Sequence, residues 1–179
     1  MTPERDKPDS TRFEALMLPH LDAAYSLARW LVRDSHHAQD RVQEAYLRAF
    51  RYFHRFRGGD ARPWLLRIVR NTCYSWLKTH SQQAEMLEFH DEELHGASDP
   101  DDAFGGNPET LLLRQAQREE VLSAVEALPL HFREVIVLRE MDEMTYECIA
   151  EVMDIPVGTV MSRLSRARAL LRQALSHPE

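Results

Sequence analysis

An all-α protein of two small helical domains, joined by an acidic linker, is what this sequence predicts. Three observations carry that prediction. The helix formers Leu, Ala, Glu and Arg dominate, while glycine is held to 6 residues. Apolar residues recur at three- and four-residue steps, with no useful stretch of period-2 alternation. An acidic stretch broken by Pro100 and Pro108 separates two such periodic regions. The domains read as residues 11–79 and 110–177, with the linker over 80–109. A chain of 179 residues, 44% hydrophobic, has material for one medium core or two small ones.

In the first domain, Phe13, Leu16, Met17, Leu21, Ala24, Leu27, Ala28 and Leu31 keep helical spacing, with Pro19 marking an early break. Ala38, Val42, Ala45, Tyr46, Ala49, Phe50 and Phe53 form the next stripe. Gly58, Gly59 and Asp60 stop that helix, and Pro63 suits the first turn of another with the stripe Trp64, Leu65, Ile68, Thr72, Trp76. Such short turns imply a compact bundle.

The second domain predicts helices over 111–128, 131–140, 145–153 and 156–175. Thr145 suits an N-cap, because its hydroxyl can accept an orphan N–H of the first turn. Ile149, Ala150 and Met153 then face inward. Asp154 falls at the turn, where Asp tolerates left-handed backbone better than most residues, and Pro156 can start the next helix. On that last helix Val157, Val160, Leu164, Ala167 and Leu171 lie within about 80° of arc. Thr159, Ser162, Arg163 and Arg166 cluster opposite. Four arginines (163, 166, 168 and 172) and no acid occur between Pro156 and His177. A short capped helix feeding a basic one is the arrangement of a helix-turn-helix, whose second helix docks in a DNA major groove. Arginine reads guanine bidentately, and Ser and Thr bind phosphates.

Charge is distributed unevenly. The formal net charge is −7, but residues 1–80 carry 14 basic and 9 acidic side chains. Residues 81–120 carry 2 and 11, and residues 121–179 carry 6 and 9. Between Arg41 and Lys78 there are nine basic side chains against two acidic, interleaved with Phe53, Phe56, Trp64 and Trp76. Of these rings, Phe53, Trp64 and Trp76 lie on apolar stripes, where a core role is the ordinary one. No signal peptide is expected, since Met1 to Ser10 is polar with no apolar run behind it, and no run approaches a membrane span. Cys73 and Cys148 fall in predicted helices and read as two buried thiols of a cytoplasmic protein.

The strings LPLHFREVIVLRE (Leu128–Glu140) and MTYECIAEVMDIPVGTVMSRLSRAR (Met144–Arg168) closely resemble the last domain of extracytoplasmic-function (ECF) sigma factors, promoter-recognition subunits of bacterial RNA polymerase. In the first domain DRVQEAYLRAFR (Asp40–Arg51) resembles the family's core-binding helix, and FRGGDARPWLLRIVRN (Phe56–Asn71) its promoter-melting stretch. The resemblance covers residues 13–78 and 111–175. It implies that Asp40, Gln43 and Glu44 dock on core RNA polymerase. It also implies that Arg57, Asp60, Arg62, Arg67, Arg70 and Asn71 contact DNA at the −10 element, where cations for a backbone and flat rings for unstacked bases suit single-strand capture. Thr159, Ser162, Arg163, Arg166 and Arg168 would then contact the −35 element. A partner anti-sigma factor is implied by the family alone. The chain departs from the family at Arg41, where an aliphatic residue is usual, and at Gln39, where Glu is common. The family often has Arg or Met where Met161 stands, and Ser165 takes a place that is sometimes aromatic, so the exact −35 sequence is not implied. The acidic linker would thread toward the polymerase cleft, or serve as a plain tether.

Two other readings remain on the residues alone. A stand-alone regulator would bind duplex DNA without polymerase. An enzyme would need a site, and His36, His37, Asp40 and Glu44 share helical spacing, while His90 and His95 flank acids in the linker. Neither group carries an HExxH or paired CxxC signature, and there is no Gly-rich phosphate loop. No catalytic residue, metal or cofactor is therefore expected.

Overall fold

The computed structural model describes residues 6–84 and 107–176. Four helices make the first half: α1 (Asp6–Met17), α2 (Leu21–Val32), α3 (Ser35–Arg51) and α4 (Ala61–Ala84). A 3-10 turn at Leu18–His20, carrying Pro19, separates α1 from α2. The second half has α5 (Pro108–Glu126), α6 (Leu130–Ile136), α7 (Tyr146–Met153) and α8 (Val157–Leu175). Helix α6 continues as a π-helical turn over Val137–Met141, so the single helix expected over 131–140 changes pitch midway. Helices α4 and α5 reach into both ends of the span read as linker, and residues 85–106 lie outside the described residues.

Local chemistry explains the boundaries. Asp34 caps α3 by accepting the His37 N–H at 2.8 Å. Its carboxyl is held below the usual range by that bond, against a smaller desolvation effect. After α3, Phe53–Arg55 tightens into a 3-10 turn rather than extending the helix. Gly58 and Gly59 follow at φ +89° and +84°, a backbone region that costs glycine nothing. Asp60 then accepts the Arg62 N–H at 3.0 Å, closing the first turn of α4.

The first core is built from Phe13, Met17, Leu27, Leu31, Leu65, Leu66 and Val69, all buried. Phe13 makes edge-on ring contacts with Phe50 and Phe53. Tyr46 donates its hydroxyl to the Met17 carbonyl at 2.8 Å, tying α3 to α1. The second core holds Val125, Val135, Leu138, Ile149, Val152, Val160 and Leu164. Each such large side chain contributes roughly 1.5–3 kcal/mol when fully buried. The two cores join, because α4 packs on α7 and α2 on α6.

Three apolar stripes were drawn too wide. Leu21, Phe50 and Val157 each sit at a stripe's edge and are exposed. Cys73 is buried as expected, with its thiol pushed up to about 12 by burial, but Cys148 is only half-buried.

Candidate nucleic-acid interface

Helices α7 and α8 form the helix-turn-helix. Thr145 accepts the Cys148 N–H at 3.2 Å and so caps α7. Asp154 ends α7 in the left-handed region, at φ 54° and ψ 50°. Pro156 sits just outside α8, one place earlier than first-turn geometry implied, and its carbonyl accepts from Thr159 and Val160. Val160, Leu164 and Ala167 are buried on one side of α8. Ser162 and Arg166 are exposed on the other, and Thr159 and Arg163 are half-exposed. The Ser162 hydroxyl bonds back to the Thr159 carbonyl at 3.0 Å. Arg168 is held apart from this row by a bond from Nη2 to Glu140 at 2.7 Å.

Helix α3 presents Asp40 and Gln43 to solvent, with Glu44 half-exposed beside them. Glu44 is bracketed by two guanidiniums, Arg41 at 3.4 Å and Arg48, which donates a short hydrogen bond. Arg41, the departure from the family pattern, runs inward and places its guanidinium 5.7 Å from the Trp76 ring centre. Trp76 is flanked on its other sides by His37 at 4.6 Å and His80 at 4.5 Å. His37 is thus spent on ring packing. Leu47, one turn beyond Gln43 and Glu44, is 65% exposed and extends this face with an apolar side chain. Sequence reading passed over Leu47, although its four-residue step from Gln43 was visible.

The candidate −10 residues divide into two groups. Arg57 and Asn71 are exposed, and the Asp60 side chain is engaged in capping α4. Arg62, Arg67 and Arg70 instead reach the second half. Arg62 donates to the Asp142 carbonyl at 2.7 Å and lies 3.7 Å from its carboxylate. Arg67 meets Asp154 at 3.3 Å. Arg70 holds Glu134 through a short Nε bond and a second bond from Nη2 at 3.4 Å. Tyr74 donates to the same carboxylate at 2.6 Å and carries the Arg70 guanidinium over its ring at 4.1 Å. Burial works against the Arg70 charge, yet Glu134 outweighs it and raises the guanidinium's pKa. Arg133 adds a further tie, donating to the Trp30 carbonyl at 3.2 Å. Glu134, Asp142 and Tyr74 were not anticipated. One signal was present, since Glu134 directly precedes the apolar run from Val135 to Leu138, and a carboxylate drawn into that core needs a buried partner.

With this geometry in view, known proteins provide the comparison. Residues 16–83 match the model for Sigma-70 region 2, and residues 118–171 match Sigma-70, region 4. The ECF RNA polymerase sigma-E factor of Escherichia coli K12 is 38% identical over 90% of this chain and 85% of its own length. The RNA polymerase sigma-H factor of Pseudomonas aeruginosa is 35% identical over 93% and 88%. Among solved structures, the sigma factor RpoE in complex with the anti-sigma factor NepR from Bartonella quintana superposes with a TM-score of 0.72. It is 25% identical, over 94% of this chain and 99% of that one. CnrH, solved with the cytosolic domain of CnrY, shares the fold at a TM-score of 0.63. No helix among the described residues is long and apolar enough to cross a membrane. The two matched regions and the near full-length likeness to sigma-E agree: the chain belongs to the ECF sigma factors of the sigma-70 family, which direct transcription initiation.

Proposed function

We propose that this chain binds core RNA polymerase through α3, opens promoter DNA at −10 with the segment from Arg57 to Asn71, and reads −35 with α8. The carrying observation is the division of α8. Val160, Leu164 and Ala167 anchor it, while Ser162, Arg163 and Arg166 share the opposite, unburied face. Asp40, Gln43 and Glu44 supply the carboxylate-bearing face for the polymerase. Arg57, Asp60, Arg62, Arg67, Arg70 and Asn71 supply the −10 contacts, and Arg168 joins Thr159 on the −35 side. The chain acts in the cytoplasm and contributes no catalytic group, so the polymerase performs the chemistry without a cofactor from this subunit. An anti-sigma factor is a further partner, supported by the likeness to a sigma factor solved with one.

Run-off transcription with core polymerase on a randomised-promoter library tests this. The expected result is a selected pair of elements near −35 and −10, transcribed only when chain and core are both present. Equal protection of a specific duplex by the chain alone would replace the sigma reading with a stand-alone regulator.

A further inference from the structure

One flank of α8 presents Met161, Ser165, Arg168 and Arg172, which follow one another at steps of four, three and four residues and so share a side of the helix. All four line a cavity of about 280 Å³, together with Leu164 and with Tyr146 of α7. In a helix-turn-helix the N-terminal residues of the second helix meet base edges, while the first helix crosses the backbone. Met161 falls in the second turn of α8 and is 53% exposed. Ser162, Ser165 and Arg166 around it are exposed as well. Met161 is thus an apolar tip set among polar side chains, on the part of α8 that enters a groove.

The other groups on this flank are short, committed or distant. Ser165 is small and leaves the space beside Met161 open. Arg168 donates to Glu140 from Nε at 3.2 Å and from Nη2 at 2.7 Å. Arg139, a second guanidinium beside Tyr146, donates to the Met144 carbonyl at 2.7 Å and lies 4.9 Å from the Tyr146 ring centre. Arg172 stands roughly 16 Å farther along the axis than Met161, at the usual helical rise. What this flank offers to a base edge is therefore apolar.

A DNA major groove displays one apolar group, the C5 methyl of thymine, among hydrogen-bond donors and acceptors. A thioether on an unbranched stem adapts well to such a partner. A G·C pair at the same place would bury hydrogen-bonding groups against sulfur and methylene, which costs free energy.

We propose that Met161 is a specificity-determining residue that reads a thymine methyl in the −35 element. The inference deepens the −35 reading of α8 and rests on it. Arg163 and Arg166, on the other side of the helix, serve hydrogen-bonding edges, and Met161 adds the demand for an A·T pair beside them.

The test uses holoenzyme assembled from the full-length chain and core polymerase. Selection from a −35 library with the wild type first supplies the element. Its thymines, on either strand, are then replaced one at a time by deoxyuridine, which removes the C5 methyl and nothing else. Competition binding and run-off transcription read each template with wild type, Met161→Ala and Met161→Arg. Neither substitution disturbs a packed core, since Met161 is exposed. The expected result is one position at which deoxyuridine weakens wild-type binding about fourfold, the worth of one buried methyl-sized group. Met161→Ala should bind the thymine and deoxyuridine templates equally at that position. Met161→Arg should select guanine there instead, because arginine donates to its O6 and N7. A selected −35 element without thymine, deoxyuridine without effect on the wild type, or unchanged sensitivity in Met161→Ala would overturn the proposal. Each of those outcomes leaves the sigma reading standing, because a promoter-specific transcript still forms. Absence of any promoter-specific transcript would overturn both.

Discussion

Arg70 of α4 grips Glu134 of α6 at two points, and Tyr74, one turn farther along α4, donates to the same carboxylate. The partners are 64 positions apart in sequence. Their burial is asymmetric, with 16% of the Arg70 side chain exposed and none of Glu134. Removing Arg70 therefore strands a fully buried carboxylate. Removing Glu134 leaves a guanidinium that can swing toward water. Arg70→Ala should cost about 3 kcal/mol in urea titration, and Glu134→Ala roughly half as much. Equal or reversed losses would mean that the carboxylate is not the stranded charge.

On α3, Asp40 and Glu44 carry the same charge in different settings. Glu44 shares its charge with Arg41 and Arg48. Asp40 is exposed and makes no ion pair among the described residues. A basic surface on the polymerase would meet the unshared carboxylate at nearly full strength. Asp40→Ala should weaken core binding at least about tenfold, near the lower end of what a charged hydrogen bond is worth, and Glu44→Ala only severalfold. Pull-down or surface plasmon resonance against core enzyme checks the order. The reverse order would make Glu44 the main polymerase contact.

The same reasoning ranks the arginines of α8. Arg166 is exposed and without an ion pair among the described residues, whereas Arg168 donates to Glu140 through both Nε and Nη2. Arg166→Ala should relax discrimination at one −35 position by about 1–3 kcal/mol. Arg168→Ala should change promoter selection less, since its donors are already committed. Selection from a −35 library reads both. Undiminished selectivity in Arg166→Ala would place the reading face elsewhere on α8.

Much of this architecture could be read from local pattern. The Thr145 cap, the left-handed Asp154 and the glycine turn before α4 all depend on neighbours within a few residues, where sequence chemistry is decisive. The stripes failed at their margins, as Leu21, Phe50 and Val157 show, because burial at a stripe's edge depends on which helix arrives beside it. The destination of Arg62, Arg67 and Arg70 was not legible for the same reason at longer range. Their basicity suits DNA and carboxylates equally, and only the packing of α4 against the second half brings the carboxylates of Glu134, Asp142 and Asp154 near. Arg41 is a further case. A charge stands at a usually aliphatic position, yet its stem runs inward and its head covers Trp76.

Asp142 of the turn after α6 carries a carboxylate whose charge burial disfavours. Its Oδ2 is buried and has no hydrogen-bond partner among the described residues. Burial raises its carboxyl pKa from 3.8 to about 6, against the downward pull of Arg62. Between those two values the folded chain holds a proton that the unfolded chain has released. The stabilisation linked to that proton is fully present below the unfolded value and is lost as pH rises through about 6. Asp142→Asn cannot ionise, and the Arg62 bond to the backbone carbonyl of residue 142 is retained. The variant should therefore gain on wild type as pH rises from about 4 to about 7.5, by on the order of 2 kcal/mol. Paired urea titrations at the two pH values measure that difference directly. A difference independent of pH would show that Asp142 titrates normally, and that Arg62 fully compensates its burial.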